Sequence, residues 1–99
     1  MTITLDMTPA QYSLLLQLLQ QFLPHVPVWA FGSRVKACAR PSSDLDLVVF
    51  AEPAQRPRVF ALQEALEESN LPFKVDLLIW DELPANFKTN IQNQFVELV

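Results

Sequence analysis

Apolar residues recur three and four apart at Tyr12, Leu15, Leu16, Leu19, Phe22 and Leu23, which predicts an amphipathic helix lying on a core. Its start is marked just upstream. Thr8 can cap, Pro9 suits the first helical position, Gln11 sits where a capping-box partner belongs, and Met7 and Tyr12 are placed as a hydrophobic staple. Pro24 and Pro27 end it. The period then changes. Residues 28–31 (VWAF) are β-branched or aromatic and halt at Gly32, which predicts a buried strand. Residues 33–43 read as a loop with room for one helical turn after Ser33. Residues 44–50 (DLDLVVF) read as a second strand, and 56–68 as a helix with Val59, Leu62 and Leu66 on one face, stopped by Asn70 and Pro72. Residues 73–80 (FKVDLLIW) form a third strand. After Asp81-Glu82-Leu83-Pro84 a last helix is expected, with Phe87, Ile91, Phe95 and Leu98 as its apolar seam. Residues 2–6 alternate, as an edge strand or a lead-in. The order predicts an α/β domain with a small sheet.

Composition adjusts this picture in three places. Ninety-nine residues make one domain, spanning 1–99. At 51% hydrophobic the chain is richer in apolar residues than a self-contained domain needs, so some surface is expected to be covered by a partner. A net charge of −4 with no basic stripe gives no electrostatic footing for a nucleic-acid backbone. The single Cys38 excludes an internal disulfide and a zinc framework. No signal peptide and no apolar run of membrane-spanning length is visible. The expectation is a soluble, cytoplasmic protein.

The candidate chemistry sits on the second and third strands. Side chains alternate along a strand, so Asp44 and Asp46 share a face, about 7 Å apart. Asp76 lies inside the third strand, where a solvated loop acid is not expected. If these strands are neighbours, the three carboxylates meet. At about 4 Å and an effective dielectric near 20, each bare pair costs on the order of 4 kcal/mol, so the cluster calls for bound cations or protonated acids. All-oxygen ligands without a nearby histidine favour Mg²⁺ or Mn²⁺. Gly32 lets the backbone come close to a phosphate, the Ser33 hydroxyl can donate to it, and Arg34 or Lys36 can offset polyphosphate charge. Two metal ions on Asp44 and Asp46, one shared with Asp76, with Asp76 as general base, imply transfer of a nucleotidyl group from a nucleoside triphosphate with pyrophosphate leaving.

Taken singly these residues are ordinary. Asp-x-Asp is common at strand starts, and Gly32 alone would be a turn glycine; their combination with Asp76 decides for chemistry. His25, between Pro24 and Pro27, reads as a surface loop residue and Cys38 as a small loop hydrophobe. Arg56 and Arg58 read as a solvated helix face, and Trp29 and Trp80 as core or interface aromatics.

Gly32-Ser33, ten intervening residues, Asp44-Leu45-Asp46 and the later Asp76 resemble the DNA polymerase β-type nucleotidyltransferase superfamily, in its minimal branch. The resemblance runs from the first helix to Trp80. It implies a two-layer fold, α+β with a small mixed sheet, and two divalent metals held by Asp44, Asp46 and Asp76, with Gly32-Ser33 as the phosphate loop. Minimal members are similar to the antitoxin of a pair whose toxin is a helical HEPN ribonuclease. That relation implies AMP transfer from ATP to a tyrosine of the toxin. Family loops often continue Ser-x-Ala-Arg-Gly. This chain has Arg34-Val35-Lys36-Ala37, keeping the basic character without the second glycine. The helical substrate domain of larger members has no counterpart, so the acceptor is recognised by this small domain or by a partner.

Two other readings stand beside this one: the same chemistry on a small hydroxylated molecule of aminoglycoside type, and a non-catalytic module that silences its partner by occlusion. No residue identifies itself as a reader of the nucleotide base, and homo- and hetero-oligomers are both open. Val48 and Phe50 share the face of Asp44 and Asp46, while Leu78 and Trp80 share that of Asp76. This apolar acid face is covered either by the last helix or by another protein.

Overall fold

The computed structural model describes residues 7–32 and 44–99. The readings of residues 2–6 and of the 33–43 loop, with Ser33, Arg34, Lys36 and Cys38, lie outside the described residues.

Helix α1 (Pro9–Phe22) starts as its sequence dictates: the Gln11 backbone N–H donates to Thr8 Oγ1 at 3.2 Å, and the Thr8 N–H donates to Gln11 Oε1 at 3.0 Å. His25, just beyond, is exposed with φ 66°, a left-handed turn residue. Strands β1 (Val28–Phe31), β2 (Leu45–Val49), β3 (Val75–Ile79) and β4 (Val96–Glu97) form one sheet in the order β3-β2-β1-β4. β2 runs antiparallel to β1 and parallel to β3. The parallel pair is linked through helix α2 (Arg56–Glu67), as a crossover requires. A 3₁₀ turn (Pro53–Gln55) leads into α2, another (Trp80–Glu82) follows β3, and helix α3 (Ala85–Asn93) precedes β4.

Alternation along the strands sorts the chain into two faces. Leu45, Leu47 and Val49 of β2, with Val28, Ala30 and Val75, are buried in one core with Leu15, Leu19, Val59 and Leu62 of α1 and α2. This is the two-layer arrangement, and it turns Asp46 and Val48 to the opposite face. β1 has the expected bounds, while β2 and β3 are one or two residues shorter at each end than their apolar runs, since hydrogen-bond pairing stops before the side-chain pattern does.

The chain's last segment departs from expectation. α3 ends at Asn93, Gln94 is extended (φ −157°, ψ 109°), and Val96–Glu97 pairs antiparallel with β1. Phe95 and Leu98 are therefore not on the helix. The outer edge of β1 needs partners for its backbone groups. It finds them in the Leu98 N–H, which donates to the Val28 carbonyl at 2.9 Å, and in the Val99 carbonyl, which accepts from the Val28 N–H at 3.3 Å.

At the other sheet edge Gln63 of α2 acts as a short substitute strand. Its Nε2 donates to the Val75 carbonyl at 2.8 Å, and its Oε1 accepts from the Leu77 N–H at 3.1 Å. Gln63→Ala strands both part-buried groups, at a cost of about 1–3 kcal/mol. The expected result is a lower urea midpoint with an unchanged slope, measured by circular dichroism.

Candidate active site

The residue-for-residue pairing of β2 with β3 sets Asp46 directly opposite Asp76. The antiparallel pairing of β1 sets Phe31 opposite Asp46, so Gly32 follows at the same end of the sheet. Asp44 is exposed just before β2 begins. Three acids and the lone glycine of the chain thus lie at one end of the sheet, where β2 and β3 start and β1 ends.

Gly32 has φ +88°, a left-handed conformation that an L side chain rarely adopts. A Cβ built on it would lie 2.5 Å from Asp46 Oδ2, so the Asp46 carboxylate rests against the bare backbone of the turn. Burial raises the Asp46 pKa above its ordinary 3.8, and the charges of Asp76 and then Asp44 push it the same way. Asp76 is steadied by Lys74, whose Nζ lies 3.4 Å from Oδ1 in a pair with Lys74 exposed and Asp76 partly so. Such a pair contributes little to stability and is screened by salt. Among the described residues no three carboxylates close around a single point, because Asp76 leans to Lys74 and Asp44 stands out in solvent. The register shares a face among them without gathering their oxygens.

The raised Asp46 pKa carries a pH signature. The unfolded chain loses this proton near 3.8 and the folded chain loses it later. Below 3.8 the group is neutral in both states and costs nothing. As pH climbs from there through the folded pKa, the folded state binds more protons than the unfolded, so stability falls. In the metal-free protein, Asp46→Asn is expected to melt with the wild type at the acid end and above it at neutral pH. Melting curves of both proteins over that range check it; a gap that narrows as pH rises contradicts it.

The rest of the acid face is aromatic. Trp29 stacks on Phe95 with ring centres 3.9 Å apart and meets Phe50 and Trp80 edge-on at 4.6 and 5.7 Å. Phe31 meets Phe87 of α3 edge-on at 6.0 Å, and Lys88 sits 5.3 Å over the Trp80 ring. α3 and Phe95 thus cover part of this face. Two larger hollows, of about 210 and 370 Å³, lie toward the far end of β3, around Glu82, and share no residue with the acids.

The sequence model of the family "Polymerase beta, Nucleotidyltransferase" matches residues 15–99. The chain belongs to the polymerase beta nucleotidyltransferase family. It is 41% identical over 93 residues to a protein of Haemophilus influenzae named "Probable protein adenylyltransferase MntA", covering 93% of this chain and 82% of that one. Its fold matches a crystal structure described as a toxin-antitoxin with AMP-PNP (TM-score 0.70, 22% identity), over 89% of this chain and 72% of that chain. It also matches one chain of a structure described as a tri-AMPylated Shewanella oneidensis HEPN toxin in complex with MNT antitoxin (TM-score 0.57, 18% identity), over 94% of this chain and 72% of that chain. At those identities the two structures speak for the fold alone: among the described residues, three helices and a mixed four-stranded sheet, an α+β arrangement with a small mixed sheet of the kind the nucleotidyltransferase resemblance implied.

Lys74 escaped the sequence reading, although its signal was available. It stands two residues before Asp76 on one strand and so shares its face. Among the described residues no helix is long and apolar enough to cross a membrane.

Proposed function

We propose that this nucleotidyltransferase moves AMP from ATP to the hydroxyl of a tyrosine on a helical HEPN-type toxin, and acts as that toxin's antitoxin in the cytoplasm. One observation carries the reading: Asp46 lies opposite Asp76, near Asp44, with its carboxylate against a left-handed glycine. Asp46 is part-withdrawn from water and crowded by two other acids, and among the described residues no positive charge offsets it. The donor set is all oxygen, the chemistry of Mg²⁺ or Mn²⁺. Asp44, Asp46 and Asp76 would hold two such ions, Asp76 turning from its weak pairing with Lys74. Bound there, the ions supply neutralisation of triphosphate charge.

The remaining roles fall to the chain itself. Gly32, lacking a Cβ, lets a phosphate oxygen come close to the turn, where the Ser33 hydroxyl donates to it and Arg34 offsets its charge. Asp76, half exposed, takes the proton of the acceptor hydroxyl as that oxygen attacks the α-phosphorus. The bond from the α-phosphorus to the bridging oxygen breaks, and pyrophosphate leaves with its electron pair. Adenylyl transfer to protein is supported by the name of the Haemophilus influenzae relative, and a HEPN partner by the toxin complexes whose fold this chain shares. An apolar content of 51% and an aromatic acid face suit a chain that works against a partner.

The test is label transfer. The protein and its co-purified helical partner are incubated with Mg²⁺ and ATP labelled at the α-phosphate, and modified peptides are mapped. Label on a partner tyrosine is expected. Label only on an added aminoglycoside-type acceptor, or tight binding with no transfer at all, overturns the reading in favour of one of its two alternatives.

A further inference from the structure

Two hollows run together along the outer side of β3, sharing Ile79 and Glu82. The larger, of about 370 Å³, lies between α2 and the strand and takes apolar lining from Val59, Phe60, Leu77, Ile79 and Leu83. Phe60 is 63% exposed, more than any other large apolar side chain among the described residues. On this side β3 is also the edge of the sheet. The Leu45 N–H donates to the Lys74 carbonyl, so alternation turns the backbone groups of Lys74, Asp76 and Leu78 toward β2 and those of Val75, Leu77 and Ile79 outward. Gln63 takes up the Val75 carbonyl and the Leu77 N–H. The next pair along, the Leu77 carbonyl and the Ile79 N–H, has no hydrogen bond among the described residues. An apolar trough thus lies beside two open strand-edge groups, the arrangement to which an extended segment adds itself.

Charge decides what kind of segment. The smaller hollow, of about 210 Å³, is lined by Glu52, Asp81 and Glu82 and by Arg56, whose guanidinium is bonded to Glu82. Glu52 and Asp81 have no ion pair among the described residues. Glu64, one helical turn beyond Phe60, is exposed and continues the acid rim. A second copy of the chain, with its net charge of −4, would bring the same rim against itself. A segment carrying lysine or arginine meets the opposite sign.

We infer that the outer edge of β3 docks an extended, basic segment of a partner protein. One large apolar side chain of that segment lies against Phe60 and Leu83, its backbone pairs with Leu77 and Ile79, and its cations stand over Glu52 and Asp81. This surface is separate from the acids and does not depend on the nucleotide-transfer reading. Ile79 lies three residues past Asp76, about 10 Å along the strand, so a docked segment leaves the acid end open.

Nuclear magnetic resonance of the isotope-labelled full chain tests it, by titration with a short capped peptide of alternating lysine and leucine and with its glutamate-for-lysine counterpart. The lysine peptide is expected to bind at low salt with a Kd of about 1 mM or tighter, shifting the amide signals of Phe60, Gln63 and Ile79 and slowing hydrogen exchange at the Ile79 N–H. Raising the salt should weaken it roughly tenfold, because the charges concerned are exposed. Phe60→Ala should weaken it at least about fivefold. Phe60 is exposed and alanine favours a helix, so that variant keeps its fold, which an unchanged melting temperature checks. Equal binding of the glutamate peptide, shifts confined to Asp44 and Asp76, or an affinity unmoved by Phe60→Ala overturns the docking surface. So does failure of the lysine peptide to bind at that concentration. A dimer of the free chain that Phe60→Ala dissociates in sedimentation also overturns it, because a second copy is then the occupant. Each of these outcomes leaves the transfer reading standing.

Discussion

Asp46→Asn is expected to lower nucleotidyl transfer by about a thousandfold or more without unfolding the protein. Asparagine keeps the shape of the side chain, so the contact with Gly32 survives, while the charge that would hold a metal ion is lost. Metal-borne stabilisation of developing charge is worth several kcal/mol, and each 1.36 kcal/mol is a factor of ten, which sets the magnitude. The same substitution relieves a crowded, part-buried carboxylate, so stability and activity should move in opposite directions. That opposition separates a chemical defect from a folding defect. Adding Mg²⁺ should raise the melting temperature of the wild type and leave that of the variant nearly unchanged, since a ligand stabilises only the state it binds. Transfer within tenfold of wild type would remove Asp46 from the reaction.

Helices α1 and α2 and strands β1 to β3 are readable because their patterns leave one interpretation, as the period of α1 does from Tyr12 to Leu23. Strand alternation likewise placed Asp46, Val48 and Phe50 on one face. What alternation could not supply was adjacency. Nothing local to residues 44–50 or 73–80 says that they pair in parallel with Asp46 against Asp76; that follows from α2 returning the chain to the same side of β2. The last segment misled for the complementary reason. Phe87, Ile91, Phe95 and Leu98 are spaced as on a helix, but the free edge of β1 outweighs that local preference and draws Val96 and Glu97 into the sheet. The alternative covers considered for the acid face therefore resolve partly in favour of the chain itself: Phe95 stacks on Trp29 because β4 carries it there.

Gly32→Ala is expected to cost more in activity than in stability. The left-handed φ of +88° imposes about 1–3 kcal/mol on any L side chain. The added Cβ meets Asp46 Oδ2 at 2.5 Å but Cγ at 3.4 Å and Cβ at 3.6 Å, so only the end of a side chain has to move. Rotating Asp46 is an inexpensive route to relieve the clash, which limits the stability loss to roughly the backbone strain. It is an expensive route for catalysis, because an ångström's displacement of a reacting geometry can cost about a hundredfold. A loss of transfer of about a hundredfold or more, beside a destabilisation of about 1–3 kcal/mol, is the expected pair of results. A double-mutant cycle identifies the cause. In an Asp46→Ala background the clashing oxygen is gone, so Gly32→Ala should cost only the strain of φ. Its effect on residual transfer should nearly vanish, because both substitutions act through one carboxylate. If Gly32→Ala instead lowers activity equally in both backgrounds, the glycine serves the phosphate directly and its contact with Asp46 is incidental.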